Sequence, residues 1–337
     1  MIITSEKTTL HAPTHGWDFG HAGPYMDRRE RVDAILSEVR SRGYDDLVRE
    51  ARTHGLGPIR AVHTVELIDH LRACRTLDED QGVYPYVFPY HREFSTARTD
   101  LKQAGYYSFD VGTVVRKDTF VSAVASVDTA VTGAEELLDE RAQQVFAISR
   151  PPGHHADRAV YGGLCFFNNA AAAARVLSDY DRVAILDLDF HHGNGTQGIF
   201  YRDPHVLYVS IHGDPERHFP FFCGHPDETG ADLGEGANLN IPLAPGTDFE
   251  QYHAHLNRAF SRIGRFAPRF LVVSIGFDTF VKDPLGDFRL PADSFRSLGR
   301  EIRQTGYRIL ACLEGGYVID DLGSTAADFI EGLLDLS

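Results

Sequence analysis

Arg182-Val183-Ala184-Ile185-Leu186-Asp187-Leu188-Asp189-Phe190-His191-His192-Gly193 is an apolar run that ends abruptly in carboxylates and imidazoles. A strand over Arg182–Asp189, apolar on both faces, belongs in the interior of a parallel sheet. Four further clusters follow apolar, β-rich runs in the same way. They are Arg150-Pro151-Pro152-Gly153-His154-His155, Ser210-Ile211-His212, Gly276-Phe277-Asp278 and Glu314-Gly315-Gly316-Tyr317. Ligands of an open parallel sheet bind beyond the carboxyl ends of its strands, so these clusters are expected to share one cleft.

Around them the pattern alternates. A strand at Ile2-Ile3-Thr4 precedes helices near Arg28–Arg40 and Val65–Leu71. From Asp118 onward helix Phe120–Leu138 leads to strand Val145–Ser149, and Asn168 can cap helix Asn169–Leu177. Strand Val206–Ile211, helix Phe249–Phe266, strand Phe270–Ile275, helix Ala292–Gln304, strand Arg308–Leu313 and helix Thr325–Leu334 complete the chain. The fold class is α/β: a single domain over residues 1–337, with a mostly parallel sheet and helices on both faces. Periodicity dissolves only around residues 77–115, where Tyr84, Tyr86, Phe88, Tyr90, Phe94, Tyr106, Tyr107 and Phe109 lie among Pro, Gly and charges. A loop of that length in a compact domain is usually functional or interfacial.

Composition narrows the class. The chain has 337 residues, a hydrophobic fraction of 43% and a formal net charge of −15. Mean hydropathy is −0.24, in the range of water-soluble proteins. An acidic chain repels nucleic acid and anionic membranes and tolerates small cations. There is no long apolar run and no basic-then-apolar leader, and the four cysteines have no CxxC spacing. A cytoplasmic protein with reduced thiols is expected, with neither membrane nor nucleic acid as partner.

Asp189 and His191 stand two apart at a strand end, and residues i and i+2 of an extended chain point the same way. Asp278 offers a third ligand from another strand end. Three protein ligands with an open position describe a catalytic zinc, whereas a structural zinc is closed by four.

With these motifs assembled, the chain resembles the histone deacetylase superfamily, whose arginase–deacetylase fold is a parallel sheet flanked by helices. The resemblance rests on Pro151–Ala156, Asp187–Gly195, Gly276-Phe277-Asp278, Asp283-Pro284 and Gly315-Gly316-Tyr317. His212-Gly213-Asp214-Pro215, Glu228-Thr229-Gly230, Gly105-Tyr106-Tyr107 and the aromatic segment make it most similar to bacterial acetylpolyamine amidohydrolases. The related two-metal ureohydrolases use Asp-x-His-x-Asp and Ser-x-Asp-x-Asp. Here Gly193 and Gly276 stand where further carboxylates would be needed, so one metal is expected. Zinc is favoured, and iron or cobalt fits the same donors.

The resemblance further implies a mechanism. His154, oriented by Asp187, and His155, oriented by Asn194, flank the attacking water, and Tyr317 donates to the oxyanion. A carboxylate partner favours a charged imidazole, so His154 is expected to act electrostatically and His155 as the base. Asp187, Asp189, His191, Ser210 and Ile211 resemble an inner potassium site, and Phe200 the start of an outer one. Phe219 matches one aromatic wall of an acyl-chain tunnel; the other wall should follow Gly163, where this chain has Leu164. Asp110, with Asp100 and Asp214, is a candidate acid at the mouth, Gly112 occupying the position where one would align. The expected activity is removal of acetyl or other short acyl groups from N-acylated polyamines or related small cationic amines, by a homodimer. Rival readings are an acyl-lysine protein deacetylase, a hydrolase of another small amide, and a silent binding protein of the same fold.

Overall fold

The computed structural model describes all residues except Phe19, Glu93, Phe94, Ala97, Thr99 and Ser337, so Phe94 of the aromatic segment lies outside the described residues. Eight parallel strands form one sheet. Across it they run Asn238–Leu243, Val206–Gly213, Val183–Asp187, Phe270–Ile275, Arg308–Leu313, Gln144–Ala147, Ile2–Thr4 and Val48–Glu50. The interior strands are buried along their length, which is why they read as continuous apolar runs.

Alternate side chains feed two cores. Ala184, Leu186, Leu271, Val273, Ile309 and Ala311 pack with helices Glu30–Ser41, Phe249–Phe266, Ser294–Gln304 and Ile319–Leu334. Val183, Ile185, Phe270, Val272, Leu310 and Cys312 pack with Val65–Arg72, Thr119–Leu138 and Asn169–Ser178. Asn168 caps the last of these, its side chain accepting from Ala171 N at 2.9 Å. Helix Phe249–Phe266 opens on a capping box of Asp248 and Gln251. Among the described residues no helix is long and apolar enough to cross a membrane.

Register explains the convergence. Ser210, Asp187, Ser274, Cys312 and Ala147 are successive partners in one row across the sheet. Each strand then stops within three residues of this row, so the polar clusters leave the same edge of the sheet together.

Two edge strands are absent from the sequence reading. Val48–Glu50 carries charges because its outer residues are exposed, and Asn238–Leu243 carries asparagines and Pro242. The short helix Asn194–Phe200 was missed as well. The aromatic segment is pinned at both ends by a two-stranded pairing of Gly82–Val83 with Val115–Arg116.

Beneath the sheet edge lies a buried ionic cluster that sequence reasoning did not find. Arg150 and Arg31 are both fully buried around Asp27. Arg150 donates to the carbonyls of Thr8 (2.9 Å), His11 (2.7 Å) and Asp27 (2.6 Å), tying the first 27 residues to the loop that carries His154 and His155. Breaking a buried charge network by removing one partner is costly. Arg150→Met should therefore destabilise the protein by about 3 kcal/mol or more in urea unfolding; a loss below about 1 kcal/mol would show that the cluster is dispensable.

Candidate metal and catalytic site

The strand Val183–Asp187 ends earlier than its sequence suggests, and Asp189 and His191 lie on the bend that follows. Their convergence therefore does not come from pleated i, i+2 geometry. It comes from main-chain ties: Leu188 N donates to Ser274 O at 2.8 Å, Phe190 N to Asp278 Oδ1 at 3.0 Å, and Gly315 N to Asp189 Oδ2 at 2.8 Å. One ligand atom each from Asp189, His191 and Asp278 fall within 4.8 Å of one another. His191 Nδ1 faces both carboxylates, 3.3 Å from Asp189 Oδ1 and 3.0 Å from Asp278 Oδ2.

The donor set fits a single zinc ion: two carboxylate oxygens and one imidazole nitrogen, all buried or nearly so. The surroundings are cut to suit. A Cβ on Gly276 would sit 2.2 Å from Asp189 Oδ2 and 2.4 Å from Asp278 Oδ1, so no side chain is tolerated between the carboxylates. Burial and the charge of Asp189 push Asp278 up to about 7. Burial also raises Asp189, but His154 and His191 outweigh it and hold that carboxylate down. The pair demands positive charge at the point where they meet.

A second grouping, His154 with Cys165 and Glu314, is equally compact but lacks free ligand atoms. Glu314 Oε2 accepts from Gly153 N (2.7 Å) and His154 N (3.2 Å), and its Oε1 accepts from Ser274 Oγ (2.9 Å). The Cys165 thiol donates to Gly163 O at 3.3 Å, and burial raises its pKa well above the ordinary range. Glu314 is thus the strut under the histidine turn, a role the sequence did not reveal.

The two histidines differ sharply. Burial disfavours charge on His154, but Asp189 and Asp187 outweigh it and raise its pKa to about 10. Its Nδ1 lies 3.2 Å from Asp187 Oδ2 and its Nε2 3.7 Å from Asp189 Oδ1. His155 is held well below the ordinary imidazole range by burial, then by the charges of His154 and His191. Asn194 Oδ1 accepts from its Nδ1–H at 2.7 Å, which leaves Nε2 as a free base.

Tyr317 is half-buried at the end of the diglycine. Burial, with the charges of Asp278 and Asp189, pushes its hydroxyl well above the usual phenol range despite Arg31, so it remains a proton donor. Arg31 lies 5.1 Å over the ring, donates to Gly316 O at 2.7 Å, and also donates to Glu314 O. Asp283 accepts from Tyr317 N at 2.7 Å.

Ser210 is the sheet partner of Asp187. His212 Nε2 donates to Gly224 O (2.9 Å), so its Nδ1 accepts from Ser210 Oγ–H (2.8 Å) and the serine lone pairs are left over. Phe219 stands edge-on to His155 with centroids 5.0 Å apart. Asp110 is not a free acid at the mouth. Its Oδ1 accepts from Gly112 N and Thr113 N at 2.8 Å each, and its Oδ2 accepts from Thr113 Oγ1 and Gly163 N. Its role is to fix the turn bearing Gly163 and Leu164. Asp100 is exposed and caps the short helical turn Leu101–Gln103, accepting from Lys102 N at 2.8 Å, and Asp214 accepts from Glu216 N at 3.0 Å.

The fold and this site define a deacetylase-type hydrolase, and the chain belongs to the histone deacetylase family: the profile of the histone deacetylase domain matches residues 25–333. Among its relatives is acetylpolyamine amidohydrolase 2 of Pseudomonas aeruginosa, 38% identical with 98% of each chain covered. The acetylpolyamine amidohydrolase of Mycoplana ramosa is 37% identical with 99% of each chain covered. A crystal structure of an acetylpolyamine aminohydrolase from Burkholderia pseudomallei superposes with a TM-score of 0.93 at 34% identity, covering 100% of this chain and 99% of that one.

If the carboxylates need an unobstructed meeting point, Gly276→Ala should purify folded but without stoichiometric metal, as measured by plasma emission spectrometry and thermal unfolding. Retention of one ion per chain in that variant would contradict the cradle.

Proposed function

We propose that this chain is a single-zinc amidohydrolase that removes acetyl or other short acyl groups from N-acylated polyamines or related small cationic amines. The observation that carries the reading is the meeting of Asp189, His191 and Asp278 beside two histidines of opposite protonation preference. The family membership and the names of its relatives support the amide and the amine; the net charge of −15 suits a cationic substrate.

Asp189 Oδ, His191 Nδ1 and Asp278 Oδ would hold the ion. The chemistry zinc supplies when bound is Lewis acidity toward the scissile carbonyl and the attacking water. His155 Nε2 takes the proton of that water and returns it to the departing amine nitrogen. His154 stays charged and stabilises negative charge nearby without transferring its own proton. Tyr317 donates its hydroxyl to the developing oxyanion, with Arg31 and Asp283 holding its ring and main chain in place.

Potassium is proposed against Asp187, Asp189, His191, Ser210 and Ile211, supported by the unspent Ser210 lone pairs. A homodimer is proposed through the aromatic segment, where Tyr86 and Tyr90 are 95% and 93% exposed; gel filtration should give twice the monomer mass.

Tyr317→Phe should keep its metal and lose about 10²–10³ in kcat, the effect of one oxyanion donor. Turnover of N-acetylated linear diamines should exceed that of an acetyl-lysine peptide, and the reverse order would favour a protein deacetylase. A base held well below the ordinary imidazole range should stay active on the acid side of that range. His154→Ala removes a positive neighbour from His155, so it should move the acid limb of kcat/KM upward. An unmoved limb would take His155 out of that role.

A further inference from the structure

Phe219 stands edge-on to His155, which places one face of its ring beside the approach to the histidine pair. The ring opposite is not at Leu164. It is Phe109, from the far end of the aromatic segment, stacked on Phe219 with centroids 5.7 Å apart and planes 25° from parallel. Phe109 is not there by accident of a loose loop. Its N–H donates to Tyr161 O at 3.1 Å, and Tyr161 N donates to Tyr107 O at 2.7 Å. Its ring lies so close to Gly162 that a Cβ there would sit 2.4 Å from Cε1.

The next residue locks this arrangement to the Leu164 turn. Asp110 accepts from Gly163 N, and Thr113 Oγ1 accepts from Leu164 N at 2.9 Å. Gly163 has φ +58°, and its missing Cβ leaves room for His155 Cδ2. Leu164 follows at φ 66°, a conformation leucine seldom adopts and one that sets its backbone to serve this turn. Phe109, Phe219 and Leu164 are each half-buried, as the lining of a mouth should be.

We propose that Phe109 is the second aromatic wall of the substrate tunnel and that it rests against Phe219 until an unbranched alkyl chain parts the two rings. Carbon atoms pack at about 3.5–4.0 Å, so a methylene chain between two rings needs them about 7–8 Å apart. The observed pair is in contact and leaves no such gap. The ring faces must move apart to admit the chain, and a branch near the acyl end would require a larger movement than a straight chain. The inference rests on the proposed activity and refines its substrate class to amides whose acylated amine sits on a linear chain.

The test uses zinc-loaded protein and two hydroxamates, acetohydroxamate and octanohydroxamate, with calorimetric affinities for wild type, Phe109→Ala and Phe109→Leu. Acetohydroxamate reports the metal site alone and should bind all three within about twofold. Octanohydroxamate should bind Phe109→Ala about tenfold more weakly, a loss within the range for contacts in an apolar pocket, with Phe109→Leu between. For an N-acetylated linear diamine, KM should rise about tenfold while kcat stays within about threefold. Equal losses for both hydroxamates, or none for the longer one, would overturn the wall. If the hydroxamates behave as expected while no acetylated diamine is turned over, the wall stands and the polyamine reading falls.

Discussion

Two buried carboxylates, Asp189 and Asp278, are forced toward one point, and the rest of the site is arranged around the charge this creates. Adjacent carboxylates in a low-dielectric interior cannot both ionise without a cation between them. The strain shows in their opposite behaviour, Asp278 pushed up to about 7 while Asp189 is held down. The main chain offers no escape, because Phe190 N and Gly315 N each grip one of the two carboxylates. A divalent ion between them would resolve the conflict, leaving the protein only to keep one side of that ion open.

The same negative field divides labour between the histidines. His154 sits within reach of Asp187 and Asp189, which favour its charged form; burial first, and then the charges of His154 and His191, disfavour a proton on His155. Neighbouring imidazoles with ring centroids 4.0 Å apart are thus pushed toward opposite protonation preferences, one by its carboxylate neighbours and the other by burial and adjacent positive charge. Glu314 and Arg31 extend this order inward, one bracing the histidine turn and the other the diglycine before Tyr317.

Much of the site was legible because its residues break the rule for buried strands. Asp189, His191 and Asp278 are ionisable groups directly after apolar runs, and His154-His155 is a pair with no reason to be in a core. The central strands were legible for the same reason, and Phe249–Phe266, Phe270–Ile275 and Arg308–Leu313 match their sequence limits. Edge strands were not, since exposure gives Val48–Glu50 the composition of a loop. Arg31 was hidden on a helix where an arginine ordinarily faces water, and the i, i+4 spacing from Asp27 is equally ordinary for an exposed ion pair. Asp110 looked like a recognition acid because nothing local reveals that Gly163, 53 positions later, takes one of its oxygens. Phe109 was one aromatic among many, and only the tertiary stack with Phe219 separates it from the others.

The most direct measurement is zinc K-edge absorption on the purified protein. One ion per chain is predicted, with oxygen and nitrogen neighbours at about 2.0–2.2 Å, an imidazole signature and no sulfur. A sulfur shell near 2.3 Å would move the ion to Cys165, and a metal–metal distance would require a second ion; either result would contradict the account.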